Sequence, residues 1–105
     1  MERSIKPEKF MPLQDEAAAV LDIRREADYN ASPDIIPGAL WKDPEKVDEW
    51  VNTVPKDGQV VIYCVRGGGV SNGVVDRLQA EGINARFIEG GIEGFKGSGG
   101  VVDKK

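Results

Sequence analysis

A single cysteine, Cys64, stands between an apolar run and three glycines in the segment Val60-Val61-Ile62-Tyr63-Cys64-Val65-Arg66-Gly67-Gly68-Gly69-Val70-Ser71. A free thiol, with a pKa of about 8.5, is mostly protonated at neutral pH. Cysteines at helix N-termini or beside cations fall to roughly 3.5–7.5 and react as thiolates. The chain contains no histidine, so the usual general base for a nucleophilic Ser or Cys is missing. Chemistry at Cys64 therefore needs another way to favour negative charge, and the following residues offer one. Three successive glycines without a Cβ can take positive φ, so the chain can curl until several backbone N–H groups point at one centre, an anion nest. A helix starting near Val70 would add unpaired N–H groups and the positive end of its dipole. Arg66 is always charged; it either strengthens this field or holds an anionic donor at the loop mouth. The same cradle suits the outer sulfur of a persulfide, which is also anionic. The plainer alternative for Cys64 is a buried core thiol acting as a small hydrophobe.

The elements that would position this loop follow from periodicity. Gln59-Val60-Val61-Ile62-Tyr63 reads as a strand buried on both faces, led in by the turn-forming Pro55-Lys56-Asp57-Gly58. Ala18 to Ile23 has the same character, with Ala85 to Ile88 and Ala39-Leu40-Trp41 as shorter candidates. Val70, Val74 and Leu78 recur at helical spacing, with Val75 beside them, which predicts a helix over 70–81 closed by Gly82. Pro44 to Asn52 reads as a second helix with Asp43 as its cap and Val47, Trp50 and Val51 facing inward. Arg25 to Asn30 and Gly91 to Lys96 are expected as short helices, and residues 97–105 as a mobile tail. Strands alternating with helices imply an α/β domain whose ligands bind beyond the carboxyl ends of the strands. Cys64 falls at such an end.

The 105 residues suffice for one core, and 40% apolar content is ordinary for a soluble protein. Eighteen acidic against fourteen basic side chains give a net charge of -4, which argues against nucleic acid as a partner. No apolar run approaches the roughly 20 residues that span a bilayer, and the N-terminus does not read as a signal peptide. The expectation is a cytoplasmic protein that does not engage membranes. One cysteine forms no internal disulfide, and with no histidine a Cys/His zinc site is excluded.

The loop resembles the active-site loop of the rhodanese superfamily, and the likeness covers nearly the whole chain. Leu21-Asp22-Ile23-Arg24, followed by Glu26, Asp28, Tyr29 and then Ile36-Pro37-Gly38-Ala39, is similar to the first signature of that family. Glu89-Gly90-Gly91-Ile92-Glu93-Gly94-Phe95 is similar to the closing one, and Cys64 lies between the two. The resemblance implies a rhodanese-like three-layer α/β domain over residues 1–105, with a mainly parallel five-stranded sheet and helices on both faces.

It further implies a sulfurtransferase in which Cys64 takes a sulfane sulfur from thiosulfate or a persulfide donor and passes it to cyanide, a small thiol or a protein-borne thiol. On that resemblance Cys64 is nucleophile and carrier, Val65, Arg66, Gly67, Gly68, Gly69 and Val70 bind the substrate, and the backbone N–H groups from Arg66 to Val70 form the anion cradle. No cofactor or metal is implied. Sulfur-transferring members resemble one another in a six-residue loop, here Cys64 to Gly69. Related phosphatases and arsenate reductases have one residue more, ending in arginine, where this chain has Val70. Gly69 stands where many single-domain members carry arginine, so the loop cation and substrate contacts either come from Arg66 or are weaker. The alternative from another class is a non-catalytic rhodanese-like sulfur carrier or protein-interaction module. Asp22 and Arg24 are expected to be structural, as a strand-end Asp commonly fixes the following turn, with a pocket-facing Arg24 as the secondary reading. Ser71 is expected to cap the helix, or to donate a hydrogen bond to the sulfur. Trp41, Trp50 and Phe95 are expected to serve packing.

Overall fold

Val60–Tyr63, the most apolar run of the sequence, forms the centre of the sheet, and each of its four residues is at most 1% exposed. Burying an apolar side chain of this size contributes about 1.5–3 kcal/mol, so this strand anchors everything around it. The computed structural model describes residues 2–105. In chain order the elements are β1 (Ser4–Ile5), α1 (Pro7–Phe10), β2 (Ala19–Asp22), α2 (Glu26–Ala31), β3 (Asp34–Ile35), β4 (Leu40–Trp41), α3 (Val47–Trp50), β5 (Val60–Tyr63), α4 (Gly69–Ala80), β6 (Ala85–Ile88), α5 (Gly91–Gly97) and β7 (Asp103–Lys104). The main sheet has the order β1-β6-β5-β2-β4, and every pairing in it is parallel.

Alternation along β5 divides the core in two. Val60, Ile62 and Cys64 face a cluster built with Trp50, Val74, Val75 and Leu78, so α3 and α4 cover that side. Val61 and Tyr63 face Phe10, Ile92 and Phe95, so α1 and α5 cover the other. This is the expected three-layer arrangement with a five-stranded sheet.

Several elements differ from the sequence reading. The expected helix over residues 44–52 is broken into a 3-10 turn (Pro44–Lys46), the single turn α3 and a second 3-10 turn (Val51–Thr53). Lys46, at φ -121° and ψ 30°, interrupts the helical backbone. Asp43 does act as a cap, accepting from the Glu45 N–H at 2.9 Å. The edge strand β1 and helix α1 are not anticipated by periodicity, because a strand of two residues has no period to read. The tail is docked rather than loose. Asp103–Lys104 pairs antiparallel with β3, the Lys105 N–H donates to the Pro33 carbonyl at 2.8 Å, and the Lys104 and Lys96 ammonium groups contact the Asp34 carboxylate. Those two lysines hold Asp34 below the usual carboxylate range.

Candidate active site

Cys64 directly follows β5, and its side chain is 7% exposed on the α4 face of the sheet. Two donors reach its sulfur: the Gly67 N–H at 3.1 Å and the Ser71 hydroxyl at 3.0 Å. Helix α4 begins at Gly69, one residue before the sequence reading placed it, and runs for 12 residues. Its N-terminal N–H groups and dipole favour negative charge in its first turn.

Ser71 corrects the sequence reading. The helix cap is Gly68, with no side-chain hydrogen bond, and Ser71, 0% exposed, donates to Cys64 instead. Seven residues after the cysteine and three into the helix, Ser71 lies beyond the cap position. The expected nest is also narrower than the run of five N–H groups from Arg66 to Val70. Among them, Gly67 alone donates to Sγ among the described residues, while Gly68 and Gly69 are exposed. Arg66 is exposed, and Val65 and Val70 are half-buried on either side of the glycines.

The loop is held from the other side by α5. The N–H groups of Ile92 and Glu93 donate to the carbonyls of Cys64 and Val65 at 2.9 and 3.2 Å. Gly91, at φ +61°, comes so close to those carbonyls that a Cβ would overlap the Val65 oxygen at 2.5 Å. Gly67 is constrained too, though less tightly, with φ +70° and a Cβ there only 2.9 Å from the Gly90 nitrogen. An alanine at Gly67 should cost about 1–3 kcal/mol for the left-handed backbone and crowding. At Gly69, where a Cβ would meet nothing within 4 Å, alanine should change stability by at most about 0.5 kcal/mol. Chemical denaturation of the two variants checks this; equal midpoints would remove the argument that Gly67 is fixed by its conformation.

Asp22 and Arg24 form a buried ion pair, 0% and 1% exposed, on the face opposite Cys64. The Arg24 Nε donates to both carboxylate oxygens at 3.0 Å, and a terminal nitrogen donates to Oδ2 at 2.6 Å. That nitrogen also reaches the Asp34 carbonyl at 2.9 Å. Burial works against the guanidinium charge, but the bonds and field of Asp22 outweigh it, and the Arg24 pKa is raised. The Tyr63 hydroxyl donates to Asp22 at 2.9 Å and accepts from the Ile36 N–H at 3.2 Å. Burial first, and the neighbouring carboxylate second, hold its phenol protonated. Tyr63 is the residue that the sequence reading missed. The available signal was a polar group inside an otherwise apolar strand, since a buried phenol needs a partner. Trp41 stacks on Tyr29 and donates to the Arg24 carbonyl, and the Trp50 indole donates to the Asp43 carbonyl at 2.7 Å.

Two grooves flank the cysteine loop. One, of 230 Å³, includes Arg25, Gly69 and Val70; the other, of 180 Å³, includes Arg24, Val65 and Lys96. A further cavity, of 630 Å³, is lined by Ser4, Lys9, Leu13 and Arg86 among others and includes no residue of the loop. Among the described residues no helix is long and apolar enough to cross a membrane.

The sequence matches the family described as rhodanese-like domain over residues 7–98. In fold, the chain is similar to a rhodanese-related protein from Thermoplasma volcanium, with a TM-score of 0.85 at 22% identity over 97% of this chain and 98% of that one. It is also similar to a rhodanese-like domain protein from Staphylococcus aureus, with a TM-score of 0.75 at 26% identity over 90% of this chain and 91% of that one. Among curated proteins it is 31% identical over 52 residues to a tRNA 2-selenouridine synthase of Shewanella sp. (strain ANA-3), a match taking in 50% of this chain and 14% of that protein. The segment thus corresponds to a small part of the curated relatives it matches. With a family match over most of its length and a whole-chain structural likeness to rhodanese-related proteins, this chain belongs to the rhodanese-like domain family.

Proposed function

We propose that this protein is a sulfurtransferase that carries a sulfane sulfur on Cys64 as a persulfide. The observation that carries the reading is the pair of donors, Gly67 N–H and Ser71 Oγ–H, at 3.1 and 3.0 Å from the Cys64 sulfur. They stabilise a thiolate in a chain without histidine, and they remain in place to hold the cysteine sulfur after loading. In the first step the thiolate attacks the outer sulfur of thiosulfate. A new S–S bond forms, the bond to the sulfonate sulfur breaks, and sulfite leaves with the electron pair. In the second, cyanide or a thiolate attacks the outer sulfur of the persulfide, and the Cys64 thiolate is released. With cyanide the product is thiocyanate. On this reading Val65, Arg66, Gly67, Gly68, Gly69 and Val70 form the mouth through which donor and acceptor arrive, while Asp22 and Arg24 hold the strand ends.

The test is intact-mass analysis after incubation with thiosulfate and removal of small molecules. Gain of one sulfur atom, reversed by cyanide, is the expected result; a parent protein that gains none leaves the interaction-module reading in its place. Ser71→Ala gives a graded check on the same geometry. A hydrogen bond to a charged group is worth about 1.5–3 kcal/mol, so loss of this one should slow single-turnover sulfur loading by about tenfold or more. An unchanged loading rate would make Ser71 a packing residue only.

A further inference from the structure

Strands β2 and β5 leave the sheet side by side: Asp22 pairs with Tyr63, and the Ile23 N–H donates to the Tyr63 carbonyl at 2.8 Å. Leu21 and Ile23 share the cluster that contains Cys64, whereas Val20 lies in the cluster on the opposite face. Carried two residues further, this alternation separates two neighbouring arginines. Arg24 turns to the Tyr63 face, where Asp22 takes its guanidinium. Arg25 is exposed, forms no ion pair among the described residues, and lines the 230 Å³ groove with Glu45, Gly69, Val70 and Gly73. This groove borders the first turn of α4, the turn that carries Ser71 and so the hydrogen bond to the sulfur.

The groove is kept open by residues whose smallness packing does not require. Gly69 and Gly73 lie one turn apart, and a Cβ on either would meet nothing within 4 Å. Glycine inside a helix is unfavourable relative to alanine, and here no neighbouring protein atom demands it. The chain as a whole is anionic, with a net charge of -4, so an anionic ligand needs a local cation to approach. On the sulfur-transfer reading above, we infer that Arg25 holds the anionic end of the sulfur donor in this groove while the donor's sulfane sulfur is presented to Cys64. A guanidinium fork matches the oxygens of a sulfonate group in a way that a point charge does not. Glu45, on the same groove, opposes that charge and limits the affinity.

The experiment compares alkylation of Cys64 in the full chain by iodoacetate and by iodoacetamide, which share a leaving group and differ in charge. Arg25→Ala should lower the iodoacetate-to-iodoacetamide rate ratio by about fivefold to tenfold, and Glu45→Gln should raise it. Both effects should shrink in high salt, because the groove is open to solvent. In the thiosulfate–cyanide reaction Arg25→Ala should raise KM for thiosulfate by about tenfold, with a much smaller change in kcat, and Arg25→Lys should recover part of the loss. An unchanged alkylation ratio in Arg25→Ala, in a protein that still loads sulfur, overturns the assignment of Arg25 alone. Absence of sulfur gain in the parent protein overturns the sulfur-transfer reading itself, and with it the donor role given to Arg25.

Discussion

Replacing Cys64 with serine should abolish sulfur uptake from thiosulfate completely, with no residual loading at any concentration of donor. Cys64 is the only cysteine in the chain, so no second thiol is available to hide the loss or to shuffle sulfur during work-up. The expected effect is chemical rather than structural. A serine hydroxyl occupies nearly the same space, and its oxygen still offers an acceptor to the Gly67 N–H and the Ser71 hydroxyl, so no buried donor is orphaned. Thermal stability of Cys64→Ser should therefore remain within about 1 kcal/mol of the parent. The measurement is intact mass before and after thiosulfate, then after cyanide, with a melting curve on the same samples. Sulfur gain that persists in Cys64→Ser would mean a non-covalent or artefactual adduct and would sink the persulfide mechanism.

The two faces of the sheet divide the work between them. On one, α4 brings its N-terminal turn to the cysteine sulfur; on the other, α5 fixes the carbonyls of Cys64 and Val65 through the N–H groups of Ile92 and Glu93. The loop is thus gripped from both sides while Arg66, Gly68 and Gly69 stay exposed. On the proposed sulfur-transfer reading, a rigidly held thiol beneath exposed loop residues lets donor and acceptor approach the same atom in turn.

How far this was legible in the sequence varied with the range of the interaction. The strand β5 and helix α4 are visible because their signals are local: an unbroken apolar run in one, Val70, Val74 and Leu78 at helical spacing in the other. The glycine loop between them announces its conformation through residue type, and Gly67 does take positive φ. Ser71 was narrowed only to two roles, since the choice depends on where the helix starts: a cap at Ser71 needs a helix beginning at Asn72, whereas it begins at Gly69. Tyr63 showed only that a buried phenol would need a partner; the partners themselves, Asp22 and Ile36, are far away in sequence and meet it only in the folded sheet. The tail strand Asp103–Lys104 is two charged residues whose pairing depends on β3 and on the carboxylate of Asp34; nothing in its own composition signals a strand. Arg24 and Arg25 look alike in sequence, and only strand alternation sends one to a buried carboxylate and the other to the groove beside α4.

Asp22→Ala is expected to be the most destabilising of the substitutions considered, by about 3–5 kcal/mol, because it leaves a buried guanidinium without its counter-ion. Natural domains of this size have only about 5–15 kcal/mol in total, so a large part of the protein's stability would go with one carboxylate. The loss is not confined to a single contact. Asp22 accepts from the Arg24 side chain, the Arg24 N–H and the Tyr63 hydroxyl, and Arg24 in turn reaches the Asp34 carbonyl. Removal of the carboxylate therefore loosens the ends of β2 and β5 together, one residue before Cys64. Exposed pairs such as Arg77–Asp48 should matter far less, since solvent screens them and their side chains lose entropy on pairing. Tyr63→Phe should fall between the two, at about 1–2 kcal/mol, because it orphans only the Ile36 N–H and one carboxylate lone pair. The decisive comparison is the double variant Asp22→Leu with Arg24→Met. An apolar pair of similar volume avoids the isolated charge, so it should be more stable than Asp22→Ala alone, even though it carries one change more. Urea denaturation of the parent, the single variants and the double variant measures all of these; a single variant as stable as the parent would show that water reaches the pair, and that the strand ends are held by packing rather than by this network.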